Sequence, residues 1–199
     1  MTYEYERSCK EQGFSVVCGV DEAGRGPLAG PVFAAAVILP DGLEDIGLND
    51  SKKLTEKKRD ALFDVIKEKA VAWCVASADE KEIDDLNILN ATFLAMSRAI
   101  KGLSVPPDMA LIDGNRCPNS GINEAAIVKG DAKSISIAAA SVLAKVSRDR
   151  YMLELDKKYP EYLFAKHKGY PTALHYEMIK KYGISPVHRL SFLKTLDKH

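Results

Sequence analysis

Apolar runs that stop at acidic residues recur along this chain. Ser15–Asp21 is β-branched and apolar, begins near one glycine and ends on Asp21-Glu22, the pattern of a buried strand. Val32–Leu39 is a second apolar run, closed by the turn signal Pro40-Asp41-Gly42. Val71–Ala78 predicts a third strand, and Met109–Asp113 and Ala125–Lys129 predict two short ones. Helical spacing fills the gaps between them. Thr55 is placed to cap a helix that carries Ala61, Leu62, Val65 and Ile66 on one face. Leu89, Phe93, Met96 and Ile100 fall on one face of a helix over Ile88–Leu103, with Gly102 at its end. A long helix is predicted from Ser136 to about Lys157, and a further one over Pro171–Tyr182, ended by Gly183. Glu80–Asp85 reads as an acidic stretch, and the segment from Met1 to Gly13, polar and carrying Glu4, Glu6 and Glu11, does not read as a signal peptide.

Strands at the start, then strands alternating with helices, predict an α/β chain with a mixed sheet flanked by helices. Tyr159-Pro160 interrupts the pattern. It suggests a catalytic unit over residues 1–160 and a small helical C-terminal extension over 161–199, joined as one structural unit.

A length of 199 residues with 46% hydrophobic and 28% charged positions suits an ordinary globular chain with a sizeable core. No apolar run is long enough to span a bilayer, so no membrane association is expected. Cys9, Cys18, Cys74 and Cys117 form no C-x-x-C pair, and the histidines lack zinc-site spacing. A cytoplasmic monomer with reduced thiols is the expectation. The formal charge is zero but unevenly distributed. Residues 1–128 carry 14 Lys and Arg against 21 Asp and Glu, whereas residues 129–199 carry 14 against 7. The basic C-terminal third is either a polyanion-binding face or a surface that packs on the acidic part.

Three acidic sites then stand out: Asp21-Glu22, Asp113 before Gly114-Asn115, and Asp131 within Lys129-Gly130-Asp131. Each has an ordinary reading, as a solvated strand end, a turn, or an acid at a helix start. Those readings do not explain why three such sites share one small chain. Adjacent strand residues face opposite ways, so Glu22 joins Asp21 only if the strand is ending there. Buried carboxylates persist when a cation compensates them. Four of them can hold two Mg²⁺ or Mn²⁺ ions, roughly 3.5–4 Å apart, for hydrolysis of a phosphodiester. No covalent nucleophile motif is present.

Gly24-Arg25-Gly26-Pro27-Leu28-Ala29-Gly30 admits two readings. As a dinucleotide fingerprint it has unusual glycine spacing, two acids that would repel a pyrophosphate, and no acid placed for a ribose. As a loop that lets backbone approach a sugar, it could test for a 2′-hydroxyl, with Arg25 on a phosphate. Lys145, Arg148 and Arg150 on the long helix suit phosphate contact or a solvated face. Asp149 is expected to pair with a nearby base, and Tyr170 sits on a constrained turn between Gly169 and Pro171.

Taken in order, Asp21–Val32, Asn49-Asp50-Ser51-Lys52-Lys53-Leu54, Asp113-Gly114-Asn115, Lys129-Gly130-Asp131, Ile137–Asp149 and His167–His175 resemble the motifs of ribonuclease HII, the bacterial type 2 ribonuclease H. The resemblance covers nearly the whole chain. It implies an RNase H-like fold with a central five-stranded mixed sheet, acting on RNA–DNA hybrids and on duplex DNA containing single ribonucleotides. Asp21, Glu22, Asp113 and Asp131 would be the catalytic metal-binding acids. Gly24, Arg25 and Gly26 would recognise the 2′-hydroxyl, Tyr170 would pack on the adjoining sugar, and Lys52 or Lys53 would hold a phosphate. Another two-metal nuclease of the same fold, a nucleotide-binding module built on the glycine-rich turn, and a metal-independent nucleic-acid binder are the competing readings.

Overall fold

The computed structural model describes residues 2–41, 43, 47–48 and 55–193. Five strands form one sheet: β1 (Val17–Ala23), β2 (Val32–Ile38), β3 (Ala72–Ala78), β4 (Met109–Asp113) and β5 (Asn123–Ile127). Their order is β3-β2-β1-β4-β5. β1, β2 and β3 pair antiparallel, while β1-β4 and β4-β5 are parallel. The expected five-stranded mixed sheet is therefore present. The parallel register sets Val20 opposite Ile112. Asp21 and Asp113, the next residue of each strand, thus stand side by side, Asp113 at the end of β4 and Asp21 two residues before the end of β1.

Alternation along the strands builds a core on each face. Cys18, Val20, Ala34 and Ala36 pack with Ala91, Ala95 and Ala99 of α4 (Ile88–Lys101). On the other face Ala35 and Val37 pack with Ala138, Ala139 and Val142 of the long helix α5 (Ile135–Lys158). The approach of α5 is very close. A Cβ on Gly19 would stand 2.2 Å from the Ser136 carbonyl carbon. Only glycine lets the sheet and the helix backbone touch there.

Four local features add to the sequence expectations or differ from them. The N-terminal segment is a helix, α1 (Glu4–Glu11), held by Glu6 and Cys9, which are buried. The acidic stretch is also helical, α3 (Glu80–Leu86), nucleated by a capping box between Asp79 and Glu82. β1 runs to Ala23 rather than stopping at Asp21, and β5 begins two residues early on a half-exposed edge. The Thr55 cap is present ahead of α2 (Glu56–Lys69), accepting from Lys58 N. The C-terminal part contributes α6 (Phe164–His167) and α7 (Ala173–Tyr182). Met152 and Leu155 of α5 share a core with Phe164 and Met178 from it. Lys52 and Lys53 lie outside the described residues.

Candidate active site

Asp21 is buried at the α5 face of β1, and Glu22, half-buried, follows it. The Glu22 N–H donates to Asp21 Oδ1 at 2.7 Å, and Ser141 of α5 also donates to Asp21. Burial pushes the Asp21 carboxyl well above the usual carboxylate range, and the charges of Glu22 and Asp113 push it further. Burial raises Glu22 as well. Arg25, whose Nη1 lies 3.5 Å from Glu22 Oε1, opposes that rise, while Asp113 adds to it. Asp113 ends β4, and Asp131 N–H donates to Asp113 Oδ1 at 3.2 Å. Asp131 is buried within a single 3-10 turn over Gly130–Ala132 that leads into α5. Gly130 admits this turn because a Cβ there would meet Ile137 Cδ1 at 2.6 Å.

The acids thus gather at one edge of the sheet, although β1 does not end at Asp21. Glu22 lies on the α4 side of the sheet and Asp21 on the α5 side. A cavity of about 290 Å³ beside α4 is lined by Glu22, Arg25, Asp113 and Asn115. A second of about 340 Å³ beside α5 is lined by Glu22, Gly24, Ser141, Lys145 and Tyr170. Glu22 belongs to both.

The donor set is all carboxylate oxygen and carries mutually repelling charge, which suits a hard divalent cation. Among the described residues, no group of three or more His, Cys, Asp or Glu side chains forms a finished cage for one. Mg²⁺ in particular needs only one or two carboxylates, with water and substrate phosphate completing its shell.

Two arginines shape the loop beside the acids, and the sequence disclosed neither role. Arg189, fully buried, donates from Nε to Gly30 O (2.8 Å), from Nη1 to Arg25 O (3.1 Å) and from Nη2 to Gly24 O (2.6 Å). Burial, and then the charge of Arg148, push its guanidinium down to about 9, so it stays protonated at neutral pH. Arg148 corrects an expectation. It faces neither solvent nor a phosphate but is fully buried, donating to Pro31 O, Ala29 O and Lys168 O. Gly24 has φ +98°, and a Cβ on it would sit 2.1 Å from Arg148 Nε. Arg150 is committed to Asp60 at 3.0 Å, and Lys145 to Asp149 at 2.7 Å, the pairing expected for Asp149. The only cue to Arg148 was its place on α5, and Arg189 had none.

Backbone bonds complete the clamp: Leu28 N to Gly169 O, Gly30 N to Val187 O, and Arg189 N to Leu28 O. Tyr170 stands on the turn so held, 39% exposed, with its ring 5.6 Å from the Arg148 guanidinium carbon. It does not cap α7; Thr172 does, accepting from His175 N. His167, His175 and His188 are buried behind this turn. His175 Nδ1 bonds the Tyr170 carbonyl, and His175 Nε2 lies 3.0 Å from His188 Nε2.

The profile of ribonuclease HII matches residues 18–195, which include all four acids, the glycine-rich loop and Tyr170. The chain belongs to the ribonuclease HII family. It is 56% identical to a ribonuclease HII from Caldicellulosiruptor bescii over 194 residues, covering 98% of this chain and 94% of that one. It is 61% identical to a ribonuclease HII from Dechloromonas aromatica over 177 residues, covering 89% and 90%. Among solved structures it resembles the ribonuclease H2 from Pyrococcus horikoshii with a TM-score of 0.78 and 31% identity, covering 92% of this chain and 96% of that one. The architecture is the RNase H-like fold, and the chain is a ribonuclease H. Enzymes of the ribonuclease HII family are divalent-metal-dependent and act on RNA–DNA hybrids. No helix among the described residues is long and apolar enough to cross a membrane.

Proposed function

We propose that this ribonuclease incises the RNA strand of RNA–DNA hybrids and also cuts duplex DNA on the 5′ side of a single embedded ribonucleotide, by two-metal hydrolysis. Asp21, Glu22, Asp113 and Asp131 hold the ions, Mg²⁺ or Mn²⁺. When bound, these ions supply Lewis acidity at the scissile phosphate and lower the pKa of attacking water. A water oxygen bonds to phosphorus and the P–O3′ bond breaks. The departing O3′ takes up a proton, leaving 3′-hydroxyl and 5′-phosphate ends. Ser141 and the Glu22 N–H keep Asp21 oriented.

Gly24, Arg25 and Gly26 read the 2′-hydroxyl, Arg25 also neutralising phosphate charge, and Tyr170 packs on the adjoining sugar. Lys52 or Lys53 holds a backbone phosphate. Residues 161–199 complete the substrate face of what works as one monomeric unit. All four cysteines are free thiols, which supports a cytoplasmic, reducing setting.

The observation that carries this reading is Gly26. Its φ is not in the left-handed region, and a Cβ there would meet Tyr170 Cε1 at 3.8 Å, an ordinary contact. No contact among the described residues requires glycine there, and a close approach to a ligand, next to the acids, accounts for it. Duplex DNA carrying one ribonucleotide, incubated with Mg²⁺ or Mn²⁺, tests the proposal. A single nick 5′ of the ribonucleotide, lost in Asp113→Asn, is expected. Cutting of all-DNA duplex without that nick would favour a different two-metal nuclease of the same fold.

A further inference from the structure

Glu6 is an acid that the proposed chemistry does not use, on a helix outside the segment matched by the family profile. Its side chain is 1% exposed. Oε1 accepts from Ser134 Oγ (2.5 Å), from Ser136 N (3.0 Å) and from Ser136 Oγ (2.5 Å). Oε2 is buried with no hydrogen-bond partner. Burying a carboxylate with one oxygen unsatisfied is costly. The N-terminal dipole of a 24-residue helix and the unsatisfied N–H of its first turn offset part of that cost.

The bonds meet at one place, the join between the Asp131 turn and α5. Ser134 caps α5, its Oγ accepting from Ile137 N. Its own N–H donates to Gly130 O at 2.8 Å, closing the turn that carries Asp131. Thr2 adds two backbone bonds, to Lys133 O and from Ile135 N. Immediately beyond, Ser136 lies on Gly19 with no side chain between, two residues before Asp21. Farther along α5, Ser141 reaches Asp21 itself. A small rotation at Ser134–Ser136 would therefore move Asp131 and Ser141 together against Asp21 and Asp113.

We propose that Glu6 is a positioning residue for the acid site: through Ser134 and Ser136 it fixes the start of α5 and with it the places of Asp131 and Ser141. This rests on the reading that the four acids bind metal. Groups bonded directly to metal ligands change affinity or activity by about 10- to 100-fold when removed, and Glu6, a link further out through Ser134 and Ser136, belongs at the low end of that range.

The test is calorimetric titration of the nucleic-acid-free protein with Mn²⁺, alongside melting temperature and hybrid cleavage as Mn²⁺ is raised. Glu6→Ala is expected to weaken Mn²⁺ binding about tenfold, with cleavage partly recovering at high Mn²⁺. Glu6→Gln keeps an oxygen able to accept the same three bonds and should stay close to wild type. Ile66→Val, a core change remote from the acids, serves as the destabilised control and should leave Mn²⁺ binding unchanged. Should Glu6→Ala fail to fold, Ser136→Ala removes one of the three donors and should weaken binding in the same direction. Glu6→Ala melting lower yet binding Mn²⁺ like wild type, or Glu6→Gln impaired as severely as Glu6→Ala, would overturn the role. A wild type that takes up no Mn²⁺ would instead overturn the acid-site reading beneath it.

Discussion

Arg189 Nη2 donates to the Gly24 carbonyl at 2.6 Å, tying together residues 165 positions apart. That bond and its two companions hold the glycine-rich loop from beneath with one planar guanidinium. Arg189→Ala leaves three carbonyls without this donor and should cost about 3 kcal/mol or more. For a chain of this size that is a melting temperature lower by roughly 6–12 °C. Cleavage at a temperature where the variant is folded should fall about 100-fold, because a displaced loop misaligns substrate. Arg189→Lys should rescue little, since an ammonium lacks the fork. Undiminished cleavage by folded Arg189→Ala would show that the clamp does not shape the loop for catalysis.

The two outer glycines of Gly24-Arg25-Gly26 should respond oppositely to alanine. Gly24→Ala drives a Cβ into Arg148 at a left-handed φ and should destabilise by more than about 2 kcal/mol. Gly26→Ala meets only an ordinary contact and should change stability by less than about 0.5 kcal/mol. Its hybrid affinity should nevertheless drop about tenfold. Melting curves paired with hybrid binding separate the two, and equal effects on both measures would refute the distinction.

Charge relief at the acids should appear in stability before activity is considered. Asp21 and Glu22 titrate above their ordinary ranges in the folded protein. Their contribution to stability is therefore present at low pH and lost as pH rises through the raised values. In chelator, Asp113→Asn removes one like charge from both. It should melt higher than wild type at pH 8, by more than it does at pH 5, while cleavage falls about a thousandfold or more. A stability difference independent of pH would contradict the electrostatic origin.

The histidines behind Tyr170 predict the reverse dependence. Burial pushes His175 and His188 from 6.5 down to about 4, with the charge of His167 adding to both shifts. Depressed values give stability that is complete above about pH 6.5 and lost as pH falls toward 4, by at most about 3 kcal/mol per ring. The Nε2–Nε2 bond needs one ring to donate and the other to accept, so a second proton breaks it. Acid titration of the melting temperature should show this loss, and His188→Gln should flatten it. Hydrogen exchange should locate the first opening in residues 167–190.

Much of the candidate site is legible in the sequence, because acids that follow apolar runs and a glycine-rich loop are written in consecutive residues. Asp21, Glu22 and Asp113 each follow an apolar run, and the parallel register of β1 with β4 brings those runs side by side. Arg148 and Arg189 were hidden because a buried guanidinium has the same letter as a surface one. Only the carbonyls that receive it reveal the difference, and those belong to residues far away in sequence. Glu6 was hidden for the same reason, within a segment whose helix depends on docking to the start of α5 rather than on an apolar stripe. The helix at Glu80–Leu86 is masked in the sequence by its acidity, since the capping box of Asp79 and Glu82 is itself made of acids.

The pairing of β1 with β4 also has a consequence in time. Asp21 and Glu22 are synthesised early, but Asp113 joins them only when β4 docks beside β1, and the loop gains its clamp only when Arg189 has emerged. Domains fold as units during synthesis. A nascent or prematurely terminated chain would carry acids without neighbours and a loop without shape. The acids of β1 thus wait on β4, and the loop beside them waits on Arg189, so the acid site takes its shape only once nearly all of the described chain has been made.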